Sequence, residues 1–154
     1  MFFETMYRIF ERLFGANLAD YLAGYNCQSE TFTGSNQFVP IGFLAVAIAG
    51  VSVLLYYYVI NHPRFNRLGH WLIVLAVVGI VNLFIGNNIV SSDLAAGNIG
   101  DCLLYIDENK EFTSINPINC WGFGIANCFV SAIWFIVFSF AFKWWSRNCK
   151  YSPF

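Results

Sequence analysis

Three stretches of this chain carry no charged residue and are each long enough to cross a lipid bilayer. Residues 38–60 read FVPIGFLAVAIAGVSVLLYYYVI, residues 71–90 read WLIVLAVVGIVNLFIGNNIV, and residues 121–142 read WGFGIANCFVSAIWFIVFSFAF. About 30 Å of hydrocarbon takes roughly 20 residues of helix at about 1.5 Å per residue. Lipid offers no partner to a free backbone N–H or C=O, so each stretch is predicted to be helical. Such helices could otherwise be buried in a large soluble protein, and composition argues against that. Of 154 residues, 58% are hydrophobic and 11% charged; soluble domains carry about 25% charged residues, enough for a water-facing shell. The expected class is an all-α integral membrane protein with three transmembrane helices, an N-terminal amphipathic helix and a small extracytoplasmic β-hairpin. The expected divisions are an N-terminal helix and linker (1–37), a transmembrane bundle (38–142) with an outer connector (91–120), and a basic tail (143–154).

The basic residues set an orientation. The link 61–70, NHPRFNRLGH, holds Arg64 and Arg67 without an acid, and the tail holds Lys143, Arg147 and Lys150. The connector 91–120 sets Lys110 against Asp93, Asp101, Asp107, Glu108 and Glu111. By the positive-inside rule the link and C-terminus are cytoplasmic and the connector lies outside. Aromatic residues agree, with Tyr56, Tyr57, Tyr58, Trp71, Trp144 and Trp145 at the inner interface and Trp121 at the outer one. The expected location is the cell membrane, with the bilayer as the first partner. No basic cluster suggests nucleic acid. The first residues, MFFETMYRIFERLFG, read neither as a signal peptide nor as a lipidation start.

Residues 1–24 are amphipathic. Glu4, Arg8, Glu11 and Arg12 recur at three- and four-residue spacing and are expected to share one helical face, opposite Phe3, Met6, Phe10, Leu13 and Phe14. Gly15 suits a helix end, and Asn17 suits the cap of a second short helix with Asp20 at its third position. Two placements follow: a helix lying in the headgroups with a short docked piece after it, or a fourth crossing with Arg12 deep in the bilayer.

Residues 102–115, CLLYIDENKEFTSI, place two β-favouring runs around a turn-forming DENK and predict a hairpin. Cys102 and Cys120 bracket it and are a candidate disulfide; Cys27 also falls outside, so Cys27–Cys120 and Cys27–Cys102 are alternatives. No spacing of Cys and His suggests a zinc site, DENKE lacks the remainder of a calcium loop, and no cofactor motif appears.

Asn82 lies near the midplane of the second span, where an amide needs a partner. Asn127 and Ser131, one turn apart on the third span, are the candidates. Small residues accompany them: Ala76, Gly79 and Gly86 near the face of Asn82; Gly42, Ala45, Ala49 and Ser52 on the first span; Gly124, Cys128 and Ala132 on the third. These amides and hydroxyls either fix helix packing or line a polar path through an oligomer. The number of small-residue stripes predicts a homo-oligomer. The spans hold no Asp, Glu, His, Lys or Arg, so neither proton-coupled transport nor hydrolysis at depth finds its groups, and an enzyme is not expected. Two function classes remain. One is an oligomeric channel or permeability-altering pore, such as a toxin or defence effector. The other is a non-conducting anchor, sensor, immunity protein or accessory subunit that meets a protein partner through the outer hairpin or the N-terminal helix.

Overall fold

The computed structural model describes residues 2–60, 68–105 and 113–143, without the side chains of residues 59, 60 and 143. Arg64, Arg67, Lys110, Trp144, Trp145, Arg147, Cys149 and Lys150, with the DENK turn, lie outside the described residues. Three helices are long and apolar enough to span a membrane. In chain order the elements are α1 (Phe2–Arg8), α2 (Glu11–Phe14), α3 (Ala16–Leu22), β1 (Tyr25–Asn26), β2 (Thr31–Phe32), α4 (Phe38–Leu54), α5 (Leu68–Ala96), α6 (Asp101–Leu104) and α7 (Pro117–Lys143). The N-terminal helices, the hairpin, α6, and the ends of the long helices next to them gather at one end of the bundle.

Local chemistry sets where the long helices begin and stop. The Asn36 side chain accepts the Phe38 N–H at 3.0 Å and starts α4. Asn116 caps α7: its Oδ1 accepts from the Ile118 N–H at 2.9 Å, while Asn119 Oδ1 reaches back to the Asn116 N–H at 3.0 Å. That reciprocal pair is a capping box, and Pro117 takes the first helical position, where a missing N–H costs nothing. Hence α7 starts ahead of Trp121, the first residue of the expected span. α5 likewise overruns its expected end. Its 29 residues give about 43 Å of helix, more than the hydrocarbon needs. A Schellman motif ends it, with Gly97 at φ 70°, the Gly97 N–H on Leu94 O and the Asn98 N–H on Asp93 O. After α4 the chain widens into a π-helical turn, Leu55–Ile60. The wider turn lets consecutive residues Tyr56 and Tyr57 both point inward and be buried.

α7 is the centre of the molecule, packed by α5 and α4 along its length and by α2 at its start. The core has two parts. At the disulfide end, Tyr7, Phe14, Leu18 and Leu22 from the N-terminal helices meet Phe38, Val90, Phe123 and Val130 of the spans. Towards the other end, Ala49, Val53, Tyr57, Trp71, Val78 and Phe135 close the bundle by themselves. The outward faces of the long helices are apolar, with Phe43, Val51, Ile73, Ile80, Phe84 and Phe140 among the exposed residues. A soluble protein rarely exposes such a surface; hydrocarbon accepts it without penalty.

Three expectations are corrected. The fourth crossing finds no helix long enough to make it: residues 2–22 form three helices of at most 7 residues, about 6–10 Å long, folded against α4 and α7. The hairpin lies in the linker, where Tyr25 pairs with Phe32 and Asn26 with Thr31. Of the segment 102–115 expected to form one, the start is the helical turn α6 rather than a strand, while an antiparallel bridge joins Tyr105 to Thr113, as a hairpin there would have it. Finally, Asn17 is not a cap. Gly15, at φ 90°, ends α2 and starts α3, and the Asn17 amide donates to Ser114 Oγ across the loop end.

Candidate functional site

The deep amides sit where α1, α5 and α7 converge. Asn82 and Asn127 are fully buried, and so is Ser131. Asn127 Nδ2 donates to the backbone carbonyl of Asn82 at 2.7 Å, and Asn127 Oδ1 accepts from the Tyr7 hydroxyl at 2.6 Å. A carbonyl cannot donate, so the Asn127 amide can be oriented only one way. Asn82 turns back on its own helix, its Nδ2 donating to Val78 O at 2.9 Å. By the same logic Asn82 Oδ1 points away from that carbonyl, and it is buried without a hydrogen bond. Ser131 also bonds within its helix, to Cys128 O at 2.8 Å. The expected Asn82–Asn127 contact therefore runs from side chain to backbone, while Ser131 meets neither amide through a hydrogen bond.

Tyr7 completes this arrangement. Its ring stacks on Phe38 at 5.3 Å and Phe123 at 5.5 Å, between the start of α4 and that of α7. Burial pushes its hydroxyl well above the usual tyrosine pKa, so the group stays protonated and donates. No sequence spacing marks Tyr7, which lies 120 residues from its partner.

Missing side chains make room for these contacts. A Cβ on Gly86 would meet Asn127 Cβ at 3.0 Å, one on Gly79 would meet Cys128 Sγ at 2.9 Å, and one on Gly124 would meet Leu83 O at 2.6 Å. The stripes of the second and third spans are thus used against each other, although Ala76 faces outward. Gly42 of α4 receives the Phe3 ring, and Gly122 of α7 receives the backbone at Leu13. Ala45 and Ala49 are buried inside the bundle.

The N-terminal charges form a half-buried cluster centred on Arg8. Its guanidinium reaches Glu4 at 3.1 Å, Glu11 at 3.3 Å and Asp20 at 3.3 Å. Burial works against this charge, but the hydrogen bonds to Glu4 and Asp20 outweigh it and raise the pKa above the usual value. Glu4 is also held by the Asn36 amide at 3.0 Å. Arg12 does not join: the break between α1 and α2 turns it outward, and it is exposed. Asp20, expected only as the third position of a helix capped by Asn17, joins the cluster as the third carboxylate on Arg8.

The disulfide joins Cys27 to Cys102, which corrects the Cys102–Cys120 pairing. Cys120 is a buried free thiol facing Asn116 O, drawn inside because α7 starts early. The bond closes a sequence separation of 75, worth roughly 4–5 kcal/mol in the chain-entropy treatment. Among the described residues no group of three His, Cys, Asp or Glu could hold a metal ion. No protein-family model matches the chain, and no curated protein or solved structure matches it.

Proposed function

We propose that this chain is a multi-pass membrane protein whose bundle is a non-conducting scaffold for its disulfide-stapled end, which faces out of the cytoplasm and meets a partner. It acts there as an anchor, sensor or accessory subunit. No step in this role calls for catalysis or a cofactor. The observation that carries the reading is the closure of the Asn127 amide, bonded on one side to Tyr7 and on the other to Asn82 within one chain. Asn82, Ser131 and Ser139 are buried with it. A water-filled path requires polar groups turned toward a lumen, and these are turned into the protein. Orientation follows the positive-inside rule, with Arg64, Lys143, Arg147 and Lys150 in the cytoplasm and the disulfide in the oxidising space.

A second reading keeps the channel. In it copies of the chain meet through the apolar faces of α5 and α7, and the partly exposed Glu4–Arg8–Glu11 face borders the path between them. Flux measurements separate the two. Full-length protein in liposomes is expected to pass neither ions nor a small dye, and crosslinking in native membranes is expected to recover monomer or a heteromeric complex. Protein-dependent flux that changes with Glu4→Gln or Asn127→Leu would replace the first reading with the second.

A further inference from the structure

The disulfide end holds a cleft of about 600 Å³ that takes no part in the packing around Tyr7. One wall is the 21–37 segment and the other is the loop after α5, from Asn98 to Gly100, with Asp101 at the start of α6. The walls are fixed in place. The Gly34 N–H donates to Gly24 O at 2.8 Å and the Gln37 N–H to Leu22 O at 2.7 Å. A Cβ on Gly24 would lie 2.5 Å from Gly34 O, and one on Gly100 would lie 2.5 Å from Cys27 Sγ. Tyr25 is held edge-on against Phe32 at 5.3 Å. The Cys27–Cys102 bond crosses from one wall to the other.

The lining selects a ligand class. It contains the amides Asn26, Gln28, Gln37 and Asn98, the Ser35 hydroxyl, and two tyrosines, Tyr21 and Tyr25. Among the described residues that line it, Asp101 supplies the one charge, and there is no Lys, Arg or His. Of these residues a phosphate or carboxylate ligand would meet a carboxylate and no cation. Asn98 Nδ2 and Asn26 Oδ1 are bonded within the protein, but an apolar ligand would cover the Gln28 and Gln37 amides and leave them unpaired, at about 1–3 kcal/mol for each group. Amides and hydroxyls both donate and accept, as do the vicinal hydroxyls of a sugar, and tyrosine offers an apolar face with a polar tip. The volume lies within the range of roughly 300–1,000 Å³ typical of ligand sites.

We infer that this cleft binds a neutral saccharide, supplied either by a glycan chain or by the sugar headgroup of a glycolipid. The inference deepens the partner-facing reading and rests on its claim that this end lies outside the cytoplasm. The test uses the full chain in nanodiscs, titrated with maltotriose, chitotriose and trigalacturonic acid and followed by saturation-transfer NMR. A parallel arm places a neutral galactolipid in the nanodisc. Saturable binding of a neutral trisaccharide or of the galactolipid headgroup is expected, the responding arm naming the source, with trigalacturonic acid silent. Gln28→Ala and Asn98→Ala, both at exposed positions, are each expected to weaken binding at least fivefold with an unchanged melting curve. Binding of no neutral sugar in either arm would overturn the inference, and so would binding that both substitutions leave intact or that choline abolishes by competition. Loss of the saccharide result with liposomes still impermeable removes only this inference. Flux with sugar binding intact removes only the non-conducting reading.

Discussion

The Tyr7 hydroxyl and the two deep amides make unequal demands on the protein. Asn127 serves both partners, so removing either end of its pair strands a buried polar group. Tyr7→Phe leaves Asn127 Oδ1 unpaired, and Asn127→Leu strands the Tyr7 hydroxyl; each is expected to lose about 1–3 kcal/mol in unfolding from detergent. The double variant should lose less than the sum, because the unpaired partner goes with it. Asn82 behaves differently. Its Oδ1 already lacks a partner, and its amide only back-bonds to Val78 O, so Asn82→Leu is expected to cost little or to stabilise slightly. A large loss on Asn82→Leu would overturn this account of its amide. Tyr21 supplies a pH test. Burial first, then the Asp93 carboxylate, pushes it up to about 12. The neutral phenol is the favoured form, so its stabilisation is complete below the ordinary tyrosine value near about 10 and is lost as pH rises through about 12. The phenolate absorbance titration should show this component, lacking in Tyr21→Phe and moved to lower pH by Asp93→Asn.

At the scale of elements, the N-terminal segment is held in sockets made by glycines. Gly122 has the backbone of Leu13 and Phe14 against it, and a rigid backbone cannot yield as a flexible side chain would. Gly122→Ala is therefore expected to lift α1 and α2 off α7, break the Tyr7–Asn127 bond and open the chain after Arg8 and Arg12 to trypsin. Unchanged protease resistance would show that the segment docks by other means. The disulfide secures the same end. Reduction, or Cys27→Ala, is expected to lower the melting temperature with helical content nearly unchanged, because the spans keep their own core around Val53, Trp71 and Phe135. Cys120→Ala should leave the non-reducing gel pattern of the wild type, since Cys120 is unpaired.

The whole molecule joins an apolar bundle to an end built from the N-terminal helices, the linker hairpin and α6. Tags inserted after residue 66 and at the C-terminus are expected on the cytoplasmic side, and a tag after Glu30, at the hairpin turn, on the other. Arg64 and Lys143 on opposite sides would break the arrangement of three crossings. Much of this architecture was legible in the sequence because hydrocarbon acts on each residue separately: uncharged runs must be helical wherever they pack. The close approach of Gly79, Gly86 and Gly124 was readable in part, since small residues at helical spacing allow backbones to meet closely, although Ala76 of the same stripe faces outward. The linker hairpin was less visible. Its strands are two residues each, and its turn uses Glu30 at φ 52° rather than a glycine that would have marked it.

By itself the sequence determined three helices long and apolar enough to span a membrane, the cluster-forming residues Glu4, Arg8 and Glu11, and the turning of the mid-span amides into the protein. Tertiary structure alone decided that Tyr7 completes the amide network, that Cys27 rather than Cys120 takes Cys102, that Arg12 turns outward, and that the N-terminal helices dock instead of crossing. The division has a physical cause. Burial preference and helix spacing are written in neighbouring residues, whereas a contact across 120 positions or a bond across 75 exists only once the chain has folded.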